Sequence, residues 1–264
     1  MNGGFCSVNG PKLADLAGDP PLHTEDRLLG GRVRLTQPRH GYRVAIDPVL
    51  LAAAVTAGAG ERILDAGCGT GAAALCLAAR VPDCTLVGVE IVAELADLAR
   101  YNVTDNGLDN RIGIAESALC DHDGAYDQAI TNPPFYELDR HTSSPRATKA
   151  TAHGESALDL TGWIKTVAKL LKPGGRLTMI HRADRLGDIL GAFEGRFGAA
   201  SIFPLWPKEG VEAKRILVSA IKGRRTLPRL LPGLTLHRSD GIYTDAADAI
   251  LRDAAPLDLR LGSA

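Results

Sequence analysis

A short glycine-rich turn between a predicted strand and a predicted helix does most to restrict the fold of this chain. Residues 62–66 form an apolar run typical of a buried strand, and Gly67-Cys68-Gly69-Thr70-Gly71 follows at once. An alanine-rich helical pattern then continues to Arg80. Glycines in such a turn let the backbone approach a ligand closely, and the start of a helix favours polar or anionic groups. The turn therefore predicts a βα unit that binds a ligand where its strand ends.

Two acids at strand ends narrow the choice of ligand. Asp65 precedes the turn, which gives Asp-x-Gly-x-Gly-x-Gly rather than the G-x-G-x-x-G of nicotinamide sites. An acid there suits a cofactor with an ammonium and a sulfonium group, and Glu90, at the end of the predicted strand 85–90, can bind ribose hydroxyls. Glu90 could instead be a first-turn acid of the next helix. We predict that S-adenosyl-L-methionine binds here, at Asp65, Gly67, Gly69, Gly71 and Glu90.

A further motif, Asn132-Pro133-Pro134-Phe135, directly follows the apolar run 126–131. The amino group of adenine, like an amide nitrogen, is planar and weakly nucleophilic because its lone pair is conjugated. The side-chain oxygen of Asn132 and the rigid carbonyl of Pro133 can accept its two N–H groups, while Phe135 can stack on a base. The motif therefore predicts N-methylation, with these three residues as catalytic groups and Asn132 also beside the cofactor. A plain loop after a strand is the alternative.

Strand and helix patterns alternate along the chain and predict an α/β, Rossmann-like, doubly wound and mostly parallel seven-stranded sheet. Asp65, Glu90 and Asn132 all lie at the carboxyl ends of predicted strands, so they should meet in one crevice at that edge of the sheet. The predicted strands are 62–66, 85–90, 111–116, 126–131, 176–181, 200–205 and 213–221. The predicted helices between them are 71–80, 91–106, 159–171 and 184–196.

The segments outside this alternation give a three-part organisation. Residues 1–26 are expected to form a loosely ordered leader. The main domain, residues 27–225, should open with a lid made of a strand over 28–35 and a helix over 49–57, with Asp47-Pro48 at the helix start. Residues 226–264 should form a hairpin with an Asp-Gly turn and a short helix near 245–252, packed on the same domain.

Composition restricts the compartment and the kind of partner. With 264 residues, 45% of them hydrophobic, the chain can build one substantial core. No apolar run approaches the roughly 18 residues of a membrane span, and the start lacks an export signal. Five cysteines without a C-x-x-C pair favour reduced thiols. We therefore expect a cytoplasmic protein with no membrane contact and no metal.

The net charge is only −1, but basic residues are concentrated in two segments of the chain. Residues 27–43 hold five arginines and no acid, and residues 205–238 hold eight lysines or arginines against two acids. A one-sided basic surface is what an RNA substrate needs, whereas an ordinary solvated surface is the alternative. We predict that Arg43, Arg224 and Arg225 contact RNA.

Several motifs together resemble the bacterial tRNA1(Val) (adenine(37)-N6)-methyltransferase family, over roughly residues 27–225. They are Leu28-Leu29-Gly30-Gly31-Arg32, Gln37-Pro38, Gly41-Tyr42-Arg43, Asp47-x-Val49-Leu50-Leu51-Ala52, Leu64–Gly71 and Asn132-Pro133-Pro134-Phe135. The resemblance implies a class I methyltransferase fold and methylation of the exocyclic N6 of an adenine in tRNA. It also implies that Tyr42, Arg43 and Asp47 lie beside the cofactor or the entering base. Related enzymes usually have an acid after the third strand, where this chain has Ala118; Glu116 or Asp121 could replace it.

Two other kinds of enzyme use similar motifs. Protein glutamine N5-methyltransferases also have Asn-Pro-Pro-aromatic, but they carry a helical substrate domain before the glycine turn, and here about 60 residues precede Asp65. A small-molecule methyltransferase is the other alternative, because a fold does not determine its substrate.

Overall fold

The computed structural model describes residues 22–40, 43–133 and 158–259. The strands are β1 His23–Leu28, β2 Val33–Pro38, β3 Arg62–Ala66, β4 Thr85–Glu90, β5 Ile112–Glu116, β6 Tyr126–Thr131, β7 Leu171–Arg182, β8 Phe197–Trp206, β9 Arg215–Lys222, β10 Arg229–Leu230 and β11 Leu234–Thr235. The helices are α1 Asp47–Ala53, α2 Ala72–Arg80, α3 Ala93–Asp105, α4 Leu160–Leu170, α5 Leu186–Phe193 and α6 Asp245–Asp253. Short 3-10 helices lie at Leu29–Gly31, Leu119–Asp121 and Ala183–Arg185.

The large sheet has the order β10-β8-β9-β7-β6-β3-β4-β5, and β11 also pairs with β8. Strands β3 to β7 are parallel to their neighbours in this group, while β9 lies antiparallel between β7 and β8. The predicted doubly wound, mostly parallel α/β sheet is therefore confirmed. Within the described residues this sheet has nine strands rather than seven, because two-residue strands of the C-terminal tail extend the β8 edge.

Both faces of this sheet are covered by helices, which is why adjacent apolar residues of its central strands, Ile63-Leu64 in β3 and Ala129-Ile130 in β6, are all buried. Neighbouring residues Ile63 and Leu64 of β3 point to opposite sides and belong to two separate hydrophobic clusters. Helices α1 and α2 contribute to the first cluster, and α4 and α5 contribute to the second. The sheet is thereby held rigid between two helical layers, so the residues at its strand ends keep fixed positions.

The N-terminal region differs from the prediction. Strand β1 begins at His23 and pairs antiparallel with β2 in a separate two-stranded sheet, called the N-terminal hairpin below. The predicted leader boundary after residue 26 falls inside β1, and the predicted strand 28–35 spans the 3-10 turn. The sequence of β1 is almost entirely polar and lacks the alternation of apolar and polar residues that marks a half-buried strand. The sequence pattern therefore did not predict this strand.

The ends of several helices and strands also differ from the predicted ones. Helix α1 begins at Asp47 itself, with Ile46 as the N-cap, and ends at Ala53 rather than at residue 57. Strand β7 begins at Leu171 because the chain continues as a strand through Pro173-Gly174-Gly175 instead of leaving the sheet there. Helix α5 is shorter than predicted at both ends.

The C-terminal tail is attached to the domain through α6 and through β10 and β11, which pair with β8. This helix matches the predicted one, and the Thr244 hydroxyl at its start accepts a hydrogen bond from the Ala247 amide. Arg32 donates to the Arg252 carbonyl at 2.7 Å, which joins the end of α6 to the turn of the N-terminal hairpin. The predicted tail hairpin is reduced to one bridge, His237 to Tyr243, because Leu234–Thr235 pairs with β8 instead. None of the helices within the described residues has the length and apolar character needed to cross a membrane.

Candidate active site

The ends of β3, β4 and β6 bring the predicted site residues together. Strand β3 lies between the other two, with Ala66 opposite Val89 on one side and Thr131 on the other. Asp65, Glu90 and Asn132 are therefore at the same edge of the sheet, as predicted. The chain also switches direction across the sheet at this point, going outward to β4 and β5 before it returns to β6. Such a switch point opens a crevice where ligands bind in α/β folds.

The glycine turn has a backbone that only glycine adopts easily. Gly67, Gly69 and Gly71 have φ angles of 70°, 55° and 84°. A Cβ on Gly67 would lie 3.0 Å from the indole of Trp163, so this glycine also allows close packing. A Cβ on Gly69 would meet no atom within 4 Å, so the space in front of this residue is open to a ligand.

Glu90 is fixed by the turn that it faces. Its Oε2 accepts a hydrogen bond from the Gly69 amide at 2.9 Å, and its Oε1 accepts one from the Val92 amide at 3.0 Å. The side chain is largely buried, yet each carboxylate oxygen keeps lone-pair capacity for a ligand hydroxyl. Because Val92 is the N-cap of α3, Glu90 also supports the start of that helix. Glu90 can therefore support the start of α3 and still bind ribose hydroxyls, so its two predicted roles are compatible.

Asp65 is a buried carboxyl group with one strong contact. Only 2% of the residue is exposed, and Oδ2 accepts a hydrogen bond from the Ala74 amide in the first turn of α2 at 3.1 Å. Burial raises the pKa of Asp65 to about 7; the Ala74 hydrogen bond opposes this and the nearby Glu90 adds to it. A bound cation would favour the ionised form. A perturbed acid of this kind in a crevice is typical of a functional site.

Two hydroxyl groups that the sequence did not point to lie near this edge. Thr70 Oγ1 and Ser117 Oγ are buried and make no hydrogen bond to any described residue. Thr70 is part of the glycine turn, and the Ser117 amide donates to the Glu90 carbonyl at 3.0 Å. Buried polar groups normally have partners, so these hydroxyls suit a polar ligand. Together with the open space at Gly69 and the buried acid Asp65, they fit S-adenosyl-L-methionine.

The structure changes the prediction for the end of the third strand of the parallel sheet. Ala118 follows this strand, β5, as the N-cap of a 3-10 helix and has no polar side chain. Glu116 faces Arg100 of α3 at 3.5 Å, and Asp121 is exposed. Ser117 is the residue here with a buried polar side-chain atom, which makes it a better candidate than either acid.

Asn132 and Pro133 directly follow β6 at the same edge as Asp65. Asn132 is half-buried and Pro133 is buried, so both are fixed against the domain. The preceding Thr131 accepts a hydrogen bond from the indole of Trp163 at 3.1 Å and donates one to the Ala66 carbonyl at 2.8 Å. The strand end that carries Asn132 is thereby tied to β3 and α4. Pro134, Phe135 and Tyr42 lie outside the described residues, so their predicted roles stay predictions.

Asp47 and Arg43, which the resemblance places near the ligands, make contacts within the protein. Asp47 begins α1 and accepts a hydrogen bond from Arg215 at 3.1 Å. Arg215 lies opposite Arg182 in the sheet, so this ion pair is at the same edge as Asn132. Arg43 donates to Asp26 at 2.9 Å and to Thr24 at 2.7 Å, which closes the open end of the N-terminal hairpin. Direct ligand contacts by these two side chains remain predictions.

Arg224 and Arg225 are not at the edge that carries the site. Strand β9 runs against the parallel strands, with Arg215 opposite Arg182 and Ile221 opposite Arg176. The two arginines follow its carboxyl end, so they lie at the opposite edge, roughly 20 Å away along the strands. The structure therefore separates them from the crevice that the other predicted residues share.

Comparison with known proteins places these features in a family. Residues 46–187 match the methyltransferase small domain. The chain is 32% identical to a tRNA1(Val) (adenine(37)-N6)-methyltransferase of Porphyromonas gingivalis, over 81% of this chain and 88% of that protein. It is 31% identical to a 4-amino-L-phenylalanine/4-methylamino-L-phenylalanine methyltransferase of Streptomyces pristinaespiralis, over 54% of this chain and 51% of that one. The structure resembles that of a predicted O-methyltransferase from Agrobacterium tumefaciens, with a TM-score of 0.68, 28% identity, and coverage of 80% of this chain and 98% of the other.

Proposed function

This chain belongs to the methyltransferase small-domain family, and we propose that it transfers a methyl group from S-adenosyl-L-methionine to the exocyclic N6 atom of an adenine in tRNA. The observation that carries this proposal is Asn132-Pro133 at the end of β6, beside the strand end that holds Asp65. The Porphyromonas gingivalis relative, named for tRNA adenine-N6 methylation and matched over most of both chains, supports the substrate.

Cofactor binding in this proposal uses two carboxylates and two hydroxyl groups along one edge of the sheet. Asp65 would pair with the ammonium group, and Glu90, which accepts a hydrogen bond from the Gly69 amide, would accept further ones from the ribose hydroxyls. Thr70 and Ser117 offer buried hydroxyls to the remaining polar atoms. When bound, the cofactor supplies a sulfonium methyl group that is already strongly electrophilic. The residues of the chain therefore have to position the acceptor nitrogen more than they have to activate the methyl group.

Asn132 and Pro133 prepare that nitrogen. The Asn132 side-chain oxygen and the Pro133 carbonyl accept the two N–H groups of the adenine amine and direct its lone pair toward the methyl group. As positive charge develops on the nitrogen, the same two acceptors stabilise it, and this interaction is strongest in the transition state. The amine nitrogen is itself the nucleophile, and its surplus proton can leave to water, so no dedicated side-chain base is required. An adenine turned out of its stack would lie on Phe135, with Tyr42 close by.

The direct test compares tRNA nucleosides from cells with and without the gene by mass spectrometry. N6-methyladenosine should be lost in the deletion strain, and the purified protein should restore it in vitro with S-adenosyl-L-methionine. Unchanged N6-methyladenosine, together with no activity on purified tRNA, would contradict the proposed substrate. Because tRNA is cytoplasmic, the proposal also predicts a cytoplasmic location.

A free aromatic amine is a second candidate substrate. The Streptomyces pristinaespiralis relative is named for methylation of 4-amino-L-phenylalanine, whose aniline nitrogen is conjugated like the amine of adenine. Asn132 and Pro133 could accept its N–H groups in the same way. Parallel assays with tRNA and with 4-amino-L-phenylalanine separate the two candidates, since the proposed enzyme should methylate the RNA alone.

A further inference from the structure

A fully buried asparagine of α3 joins the N-terminal hairpin to the glycine turn. Asn102 is 0% exposed, and its Oδ1 accepts a hydrogen bond from the Thr36 amide of β2 at 2.8 Å. Its Nδ2 donates to the Thr36 carbonyl at 2.9 Å and to the Thr70 carbonyl at 2.9 Å. One side-chain amide thus bonds both backbone groups of a hairpin residue and one carbonyl of the turn.

A second asparagine makes the matching contact one helical turn later, but without the glycine turn. Asn106 accepts from the Arg34 amide at 2.9 Å and donates to the Arg34 carbonyl at 2.7 Å. Four helical residues span about 6 Å, and two strand residues span about 6.6 Å. The two amides therefore match alternate residues of β2 and act as a neighbouring strand for it. Asn102 alone of this pair also bonds the turn.

The hydrogen bonds of Asn102 continue to the residue proposed to hold the ribose. Thr70, whose carbonyl Asn102 binds, follows Gly69, whose amide donates to Glu90 at 2.9 Å. Ala99 of α3 approaches Gly71 closely, since a Cβ built on this glycine would lie 3.5 Å from that of Ala99. The helix can thus come near enough for Asn102 to reach the turn. Hairpin, helix and turn form one connected unit.

We propose that Asn102 is a positioning residue that couples the N-terminal hairpin to the cofactor site, so that cofactor in the turn and RNA on the hairpin favour each other's binding. This inference rests on the proposed function. The hairpin and the loop after it carry the arginines of residues 27–43, whereas the turn faces the open space at Gly69. Coupling between two sites is reciprocal, so each ligand must raise the affinity of the other by the same factor.

Matched alanine variants separate this coupling from simple attachment of the hairpin. Asn102→Ala and Asn106→Ala each remove the side-chain bonds to one residue of β2, but only Asn102→Ala frees the Thr70 carbonyl. By calorimetry, Asn102→Ala should weaken S-adenosyl-L-methionine binding by about 5–10-fold, and Asn106→Ala by less than about 2-fold. Equal effects of the two variants would overturn the proposal. If the wild-type protein bound no S-adenosyl-L-methionine, the proposed function itself would fail.

The wild-type protein offers a test that does not depend on the folding of a variant. Saturation with S-adenosyl-L-methionine should slow hydrogen exchange at the Thr36 amide, which Asn102 holds, more than at the Arg34 amide, which Asn106 holds. S-adenosyl-L-homocysteine should also raise the affinity of the wild type for unmodified tRNA. In Asn102→Ala the ratio of the affinities with and without S-adenosyl-L-homocysteine should approach one. The proposal would be contradicted if the cofactor slowed exchange equally at both amides. It would also be contradicted if S-adenosyl-L-homocysteine raised the affinity for tRNA by the same factor in the wild type and in Asn102→Ala.

Discussion

At the scale of single residues, Asn132 is the position where chemistry and cofactor binding can be separated. Asn132→Ala removes one of two acceptors for the substrate amine but leaves Glu90 and the glycine turn intact. We expect the rate of methyl transfer in single turnovers to fall by ~10²–10³, because a preorganised partner of developing charge is lost. The affinity for S-adenosyl-L-methionine in a direct titration should stay near that of the wild type.

Asn132→Asp is the control for that variant, because it keeps an acceptor oxygen at the same place. It should retain more activity than Asn132→Ala. The mechanism would be falsified if the alanine variant methylated a tRNA adenine at the wild-type rate. A parallel loss of rate and cofactor affinity would instead assign Asn132 to the cofactor pocket.

The raised pKa of Asp65 has a consequence for stability. A carboxyl group whose pKa rises from 3.8 to about 7 on folding stabilises the fold while it is protonated. That contribution is complete below pH 4 and is lost as the pH rises through 7. Asp65→Asn should therefore stabilise the ligand-free protein at pH 8. Its unfolding free energy should rise by up to ~4 kcal/mol, at about 1.4 kcal/mol per pKa unit, and its melting temperature should rise with it.

The difference in melting temperature between Asp65→Asn and the wild type should shrink as the pH falls from about 7 toward 4, because the folded wild type is protonated in this range while its unfolded chain is still ionised. The variant should also bind S-adenosyl-L-methionine more weakly, because its amide has no charge for the ammonium group. A difference that is independent of pH would contradict the burial of an ionisable group at this position.

At the scale of elements, the sequence predicted the buried parallel strands best. The ends of β3 and β6 match the prediction at both residues, because each strand contains adjacent apolar residues, Ile63-Leu64 and Ala129-Ile130, which a sheet covered on two faces buries. Strand β1 was missed since its sequence is polar and its position depends on β2. Strand β2 in turn is held by the side chains of Asn102 in α3 and Asn106 at its C-cap, which lie about 70 residues away. No local pattern records such a contact.

The C-terminal tail allows a test of element docking with two matched glycines. Gly233 and Gly241 have nearly the same φ angles, 87° and 90°. A Cβ on Gly233 would meet the Pro204 carbonyl of β8 at 2.4 Å, whereas a Cβ on Gly241 would meet nothing within 4 Å. Gly241→Ala should cost about 1–2 kcal/mol in unfolding free energy for the backbone conformation alone.

Gly233→Ala should cost more than Gly241→Ala, because it also forces the tail away from β8. Denaturant unfolding measures both free energies, and faster proteolysis of the tail in Gly233→Ala would locate the added loss. If the two variants were equally stable, close packing of the tail on β8 would contribute nothing to the fold.

At the scale of the whole molecule, the rule that ligands bind at the carboxyl ends of parallel strands was sufficient to bring Asp65, Glu90 and Asn132 together. It could not place Arg224 and Arg225, because the direction of β9 is a property of the sheet and not of its own sequence. The buried hydroxyls of Thr70 and Ser117 were missed for a related reason: serine and threonine are common in turns, and only burial distinguishes these two.

The position of Arg224 and Arg225 at the far edge gives a prediction that separates binding from catalysis. A double variant, Arg224→Glu with Arg225→Glu, reverses two charges roughly 20 Å from the crevice. If a long tRNA reaches this edge, its affinity should fall by about 10-fold or more at low salt. The slope of log affinity against log salt should also decrease by about 1–2, since each phosphate contact contributes about 0.9.

The maximal rate at saturating tRNA should be unchanged in this variant, as should the affinity for S-adenosyl-L-methionine, because neither arginine can touch the reacting atoms. Filter binding over a range of salt and steady-state kinetics measure these quantities. A fall in the maximal rate would mean that the two arginines act within the site, contrary to the direction of β9. Unchanged tRNA affinity would mean that the RNA stays at the crevice edge, where Arg43 becomes the remaining arginine predicted to bind it.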